Sequence, residues 1–252
     1  MANNKRKNDK GPGILIMNFR PLASSSKGNC YLVESGETAP LLLECGTSIK
    51  TIREKLNFSL SGLSGCLVSH EHGDHSKAVK DLLKAGVDVW TSEETAESLE
   101  IRNHHRTNIL MAGNQESIGE WVVLPFDLHH DVPTHGFLVG APNFEKLLFI
   151  PDTSYIRNRF EGINIIAIEC NYIADRLSKN IQSGAIPQAV GRRVRRNHMS
   201  LDTTIGMLKA NDLSKCREIW LLHLSDANSD ETVMRKRVQE ETGIATYVAS
   251  AK

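Results

Sequence analysis

The stretch Ser69-His70-Glu71-His72-Gly73-Asp74-His75 follows the short apolar run Gly65-Cys66-Leu67-Val68 and precedes Ser76-Lys77-Ala78-Val79-Lys80-Asp81-Leu82-Leu83. The run reads as a buried strand, and the segment after the motif as an apolar-periodic helix. Three imidazoles and two carboxylates therefore crowd the turn between them. While the chain is still extended, His70 and His72 project to the same side. Gly73 permits a sharp turn that brings Asp74 and His75 round from the start of the helix. Imidazole nitrogen and carboxylate oxygen suit zinc and its first-row neighbours. Without a cation, so dense a polar knot is costly to place at the end of a buried strand.

One metal needs three or four ligands and two need more, so later strand ends must contribute. Leu128-His129-His130-Asp131 follows an expected strand at residues 121–124. Pro151-Asp152-Thr153 follows one at 147–150, and His223 follows one at 220–222. The residues alone leave His129 and His130 as equal candidates.

The bulk composition fits this frame. A chain of 252 residues with 40% hydrophobic and 24% charged residues is an ordinary globular mixture, expected to form a single α/β domain over residues 12–252. Lys+Arg and Asp+Glu number 30 each, a balance that argues for a small substrate over a long grip on nucleic acid. The five cysteines, Cys30, Cys45, Cys66, Cys170 and Cys216, are scattered and predict free, mostly buried thiols in a reducing compartment. Residues 1–11 read as a disordered basic tail. No apolar core follows that tail and no run approaches membrane-spanning length, so a soluble cytoplasmic protein without membrane contact is expected.

Strands are expected at residues 14–19, 30–33, 41–43, 65–68, 87–90, 121–124, 137–139, 147–150 and 163–168, with late ones at 220–222 and 246–248. Ser48 and Ser200 are placed to cap helices, the second over residues 201–209. Residues 101–117 are polar and carry no clear pattern. Strands first, then strands and helices interleaved, predict a layered α/β sandwich.

The His-x-His-x-Asp-His motif resembles the signature of the metallo-β-lactamase superfamily, a four-layer αββα sandwich. The resemblance is to its phosphodiesterase branch, and it implies two zinc ions, with manganese as a substitute. Carried over by position, His70, His72 and His130 resemble the ligands of the first ion. Asp74, His75 and His223 resemble those of the second, with Asp152 bridging both. Relatives place a His-Asp pair where this chain has His130-Asp131, which favours His130 over His129. Ile166-Ala167-Ile168-Glu169-Cys170, then Asn197-His198-Met199-Ser200, then Leu222-His223 resemble the order found in ribonuclease Z and YycJ-type nucleases. There the residue matching His198 is a general acid beside the scissile phosphate. Asp74 is expected additionally to orient the attacking hydroxide. The loop Ser24-Ser25-Ser26-Lys27-Gly28-Asn29 is also similar in that branch. Glu44 departs from the family pattern, which has Asp there, and this puts a supporting hydrogen bond in doubt.

The implied activity is hydrolysis of a nucleotide phosphodiester. A 3′,5′-cyclic mononucleotide, the substrate of related phage anti-Pycsar enzymes, fits the zero net charge and is favoured slightly. A DNA or RNA nuclease is the alternative, supported by the basic tail and by Arg192-Arg193 and Arg195-Arg196. That basic run is more simply a solvated helix face, so it stays outside the expected site. A lactonase or thioesterase would not need His198, and a non-catalytic zinc-binding protein would not need all of Asp74, Asp152 and His198. Relatives commonly form a homodimer, which is the expected assembly.

Overall fold

The computed structural model of the protein describes residues 16–36 and 38–250, so the expected tail at residues 1–11 lies outside the described residues. The chain opens with strands β1 (Met17–Ala23), β2 (Cys30–Ser35) and β3 (Thr38–Leu43), then helix α1 (Ile49–Lys55). Strand β4 (Gly65–Leu67) leads into α2 (Gly73–Ser76) and α3 (Val79–Lys84), followed by β5 (Val89–Thr91), α4 (Glu93–Ser98) and β6 (Thr107–Ile109). These six strands form one sheet in sequence order.

The second sheet starts with β7 (Glu116–Ile118), β8 (Trp121–Leu128), β9 (Thr134–Gly140), β10 (Lys146–Ile150) and β11 (Ile165–Glu169). Helices α5 (Ala174–Gln182), α6 (Gln188–Asn197) and α7 (Leu201–Lys209) come next, then β12 (Glu218–Leu222), α8 (Glu231–Thr242) and β13 (Ala245–Val248). The seven strands run in the order β13-β12-β11-β10-β9-β8-β7.

Alternation along the strands sorts their side chains into layers. Leu41 and Leu43 pack between the sheets with Tyr31, Trp121, Phe137 and Phe149, whereas Leu42 faces outward to Ile52 and Leu82. In the other sheet Leu147 and Phe149 point inward, while Leu148 and Ile150 face Leu201, Ile205, Leu208 and Met234. The layers are helix, sheet, sheet and helix. Buried Trp121 also ties the sheets directly, its Nε1 donating to the Ala39 carbonyl at 2.8 Å.

Strands β3 to β6 are mutually parallel, as are β10 to β13, and β8 runs parallel to β10 through the antiparallel β9. The carboxyl ends of β8, β10, β11 and β12 therefore open on one edge, and so do those of β3 and β4 in the facing sheet. In open parallel sheets this edge is where ligand sites form.

Three segments differ from the sequence expectation. The helix expected at 76–83 breaks into α2 and α3, because the Ala78 N–H donates to the Cys45 carbonyl at 2.9 Å rather than back along a helix. The unpatterned residues 101–117 contain β6 and the start of β7, three-residue sheet edges too short to show alternation. Strand β1 runs on to Ala23 past a register shift between Pro21 and Ala23.

Candidate metal centre

The motif leaves β4 and turns at Gly73, as expected, and its backbone is clasped from two sides. Asn29 N–H donates to the Asp74 carbonyl at 2.8 Å, and Cys45 N–H donates to the His75 carbonyl at 2.8 Å. Gly46 N–H in turn donates to the Asn29 carbonyl at 2.8 Å. A Cβ on Gly46 would lie 1.6 Å from the Asp74 carbonyl oxygen, so only glycine permits this approach. The buried Asn29 amide also reaches Asp74 Oδ2 at 3.4 Å and His75 Nε2 at 3.2 Å. Asn29 and Gly46 carry no metal-ligand signal in sequence; their role is visible only through the fold.

His70, His72 and His130 converge. His70 Nε2 is 3.1 Å from His72 Nδ1, and His130 Nε2 is 3.4 Å from the same atom. Asp74, His75 and His223 form a second group, with His75 Nε2 and His223 Nε2 each 3.5 Å from Asp74 Oδ2. Within each group the candidate donor atoms all lie within 4.8 Å of one another. Asp152 stands between the groups: its Oδ1 is 3.4 Å from His75 Nε2, and its Oδ2 is 3.9 Å from His130 Nε2. All seven metal-ligand candidates meet in one place.

His129 points elsewhere. Its Nδ1 contacts Ser154 Oγ at 2.8 Å and its ring lies 4.7 Å from that of Tyr155. His130 is oriented instead by donating Nδ1–H to the Asn197 carbonyl at 3.0 Å.

His198 enters from the end of α6. Its Nδ1 sits 2.5 Å from Glu169 Oε1, while Glu169 Oε2 accepts the backbone N–H groups of Thr153 at 3.0 Å and Met199 at 3.2 Å. A carboxylate offers only acceptors, so Nδ1 carries the proton shared with Glu169. In the sequence Glu169 stands out only as part of the stretch 166–170 that resembles ribonuclease Z, with no contact assigned to it.

Glu44 stands beside His75. Its Oε2 lies 3.6 Å from His75 Nδ1 and accepts the Ser69 N–H at 3.3 Å. At 3.6 Å the pair is an ion-pair contact beyond hydrogen-bond range. Glu44 and His223 both adopt left-handed backbone, at φ 61° and 53°. Such residues persist only where their surroundings over-determine them. At His223 the carbonyl is held by the Asn171 side-chain amide at 2.9 Å.

Electrostatics describe a set of groups arranged around positive charge. Burial alone would raise the Asp152 carboxyl, but His223 and His75 hold it well below the usual carboxylate range. Burial lowers His223, and Asp152 and Glu169 override it, raising the imidazole to about 10. His70 stays well below its ordinary value, first through burial and then through neighbouring His75, and Asp152 offsets only part of this.

The donor set fits divalent cations. Asp152 Oδ1 and His223 Nδ1 approach to 2.6 Å as an ion pair, while His75 Nδ1 and Glu44 Oε1 are buried without a hydrogen-bond partner. Buried polar atoms in that state are rare in native proteins. Imidazoles and carboxylates converging from separate strands are what a transition-metal centre requires.

Four of the cysteines, Cys30, Cys45, Cys66 and Cys170, are buried and Cys216 is half-buried; all five are free thiols. No helix among the described residues is long and apolar enough to cross a membrane.

A family model described as the metallo-beta-lactamase superfamily matches residues 26–198. Exodeoxyribonuclease YycJ of Bacillus anthracis is 28% identical over 238 residues, covering 89% of this chain and 88% of the relative. Exodeoxyribonuclease WalJ of Streptococcus pneumoniae is 25% identical over 244 residues, covering 88% and 89%. Among solved structures, the metallo-beta-lactamase fold protein YhfI from Bacillus subtilis superposes with a TM-score of 0.73 at 14% identity, over 93% of this chain and 97% of that one. The short form of human tRNase Z gives 0.64 at 14% identity, over 93% and 96%. The family match spans every donor described above except His223, which the fold brings in from β12. The chain belongs to the metallo-beta-lactamase superfamily, whose fold implies divalent metal ions.

Proposed function

We propose that the protein is a metal-dependent phosphodiesterase acting on nucleotide phosphodiesters. The observation that carries this reading is the pair of three-residue groups sharing Asp152, with His198 alongside and backed by Glu169. His70, His72 and His130 would hold one ion, Asp74, His75 and His223 the other, and Asp152 would bridge them. Zinc is the native ion in this reading, manganese a substitute, and the assembly a homodimer as the family resemblance implies. When bound, the ions supply Lewis acidity, acidifying coordinated water and neutralising charge on the phosphoryl oxygens.

The chain's own residues supply orientation and the proton. Asp74 accepts a hydrogen bond from the attacking water, aims it in line at phosphorus and takes up the proton the water loses as its oxygen bonds to phosphorus. As the ester P–O bond breaks, His198 gives its Nε2 proton to the departing oxygen. Glu169 fixes the imidazole by accepting from Nδ1–H and stabilises its cationic form: burial lowers the pKa of His198, but the Glu169 charge outweighs it and the net shift is upward. Removing His198 should therefore cost roughly 10²- to 10⁴-fold in turnover, the usual range for a positioned acid.

Two substrates fit this chemistry. A nucleic-acid strand is supported by the names of the two exodeoxyribonuclease relatives, which align over most of both chains. A 3′,5′-cyclic mononucleotide is supported by the zero net charge. The relatives shift the weight to the strand. The test is hydrolysis, with zinc or manganese present, of end-labelled DNA, RNA and cyclic nucleotides side by side, with Asp74→Ala as the control. Strand trimming supports the nuclease reading, and linear monophosphate from cyclic nucleotide supports the other. Silence on all three with hydrolysis of a lactone or thioester would overturn phosphodiester chemistry.

A further inference from the structure

Helix α6 is fixed on one side and charged on another. A Cβ at Gly191 would meet Ile181 Cδ1 at 2.2 Å, so α6 lies tight against α5 there. Arg195 adds a hydrogen bond from Nη2 to Ser178 Oγ of α5 at 2.9 Å. Arg192, Arg193 and Arg196 turn instead to a cleft of about 600 Å³, which they line with His130, Asp131 and Asn197. The helix end and the metal centre are one unit, because the Asn197 carbonyl accepts from His130 Nδ1 and the Asn197 amide donates to Asp131 Oδ2 at 2.8 Å. Asp131 is the sole carboxylate lining the cleft, and Arg193 Nε lies 3.8 Å from it. Among the described residues, Arg192 and Arg196 have no ion-pair or hydrogen-bond partner.

We propose that Arg192 and Arg196 form a phosphate-binding ledge that holds a nucleic-acid strand beside the metal centre. The inference rests on the phosphodiesterase reading and names its substrate class. Guanidinium groups favour phosphate because their fork matches its oxygens, and they stay charged throughout. Positions four apart share a helix face and are separated by a rise of about 6 Å, so the two arginines address different phosphates. A cyclic mononucleotide carries a single phosphate, which would lie at the metals and leave both arginines unpaired. A strand brings further phosphates into the cleft next to the scissile one. Zero net charge for the whole chain does not oppose this, since three arginines against one carboxylate make the cleft locally basic.

The test uses the metal-loaded full chain and a hydrolysis-resistant phosphorothioate DNA strand with a fluorescent end, followed by anisotropy over a range of salt. For the Arg192→Ala/Arg196→Ala double variant, strand binding should weaken and the log–log salt slope should fall by about 1.4, that is about 0.7 per phosphate contact. The Arg192→Lys/Arg196→Lys variant should keep most of the slope, with melting temperature confirming that both variants fold. An alanine variant with the wild-type slope overturns the ledge, and so does a lysine variant that loses as much as the alanine one. Wild-type turnover of bis(p-nitrophenyl) phosphate is measured in parallel. Its failure would sink the phosphodiesterase reading while leaving the binding series to decide the ledge.

Discussion

His198 Nδ1 lies 2.5 Å from Glu169 Oε1, and the other oxygen of that carboxylate accepts two backbone N–H groups, from Thr153 and Met199. One buried side chain thus sets both the tautomer of His198 and the backbone on either side of the centre. Glu169→Gln cannot satisfy this arrangement, because whichever way the amide turns, its NH₂ meets a donor. Turnover should fall about 10- to 100-fold with the metal retained and KM little changed. Wild-type turnover in Glu169→Gln would show that the contact does not position His198.

Gly46 makes an equally specific prediction. A methyl group there collides with backbone, not with a side chain that could swing away. Gly46→Ala should cost about 3 kcal/mol or more in denaturant unfolding, at the upper end of overpacking penalties. It should also weaken metal binding, since the Asp74–His75 turn must move. A wild-type midpoint would mean that the clasp around Asp74 is looser than described.

The legibility of the site in the sequence follows from how locally each part is encoded. His70, His72, Asp74 and His75 lie within one strand-turn-helix step, so spacing alone predicts their convergence. Asp152 and His223 were readable as polar residues closing apolar strands, though their mutual approach depends on β10, β11 and β12 being neighbours. The choice of His130 over His129 needed the family pattern, and the structure orients it through Asn197, a partner 67 residues away. Asn29, Gly46 and the Glu169 contact depend wholly on tertiary packing. The arginines of α6 were read as a solvated face because composition cannot say which way a helix turns.

The thiols provide a check on the core. Burial pushes Cys170 up to about 12 and holds Cys30 and Cys66 well above the ordinary thiol range. Half-buried Cys216 is raised to about 11, chiefly by burial. In native protein at mildly alkaline pH, a disulfide exchange reagent should label Cys216 alone, and slowly, because the thiolate is the reactive form. Denaturant should release all five. Rapid labelling of several native thiols would contradict the packing around β2, β4 and β11.

His135 should make the fold acid-sensitive. Burial lowers its pKa below the ordinary 6.5, only partly offset by Asp127 and Glu94. The unfolded chain then binds more protons than the folded one just below that value, so stability is full above it and declines as pH falls through it. His135→Gln removes this component. Measured by urea unfolding from neutral to mildly acidic pH, the variant should lose stability less steeply than wild type. Parallel profiles would show that His135 takes up its proton equally in both states.

In the proposed centre two groups of donors share Asp152 and together would hold a pair of divalent ions. Metal content per chain, measured on zinc-reconstituted protein, tests it most directly. Wild type should carry two ions, His72→Ala should keep the one held by Asp74, His75 and His223, and Asp152→Ala should disturb both. A wild-type content of one ion, or an Asp152→Ala variant that still holds two, would show that Asp152 does not join two ion sites.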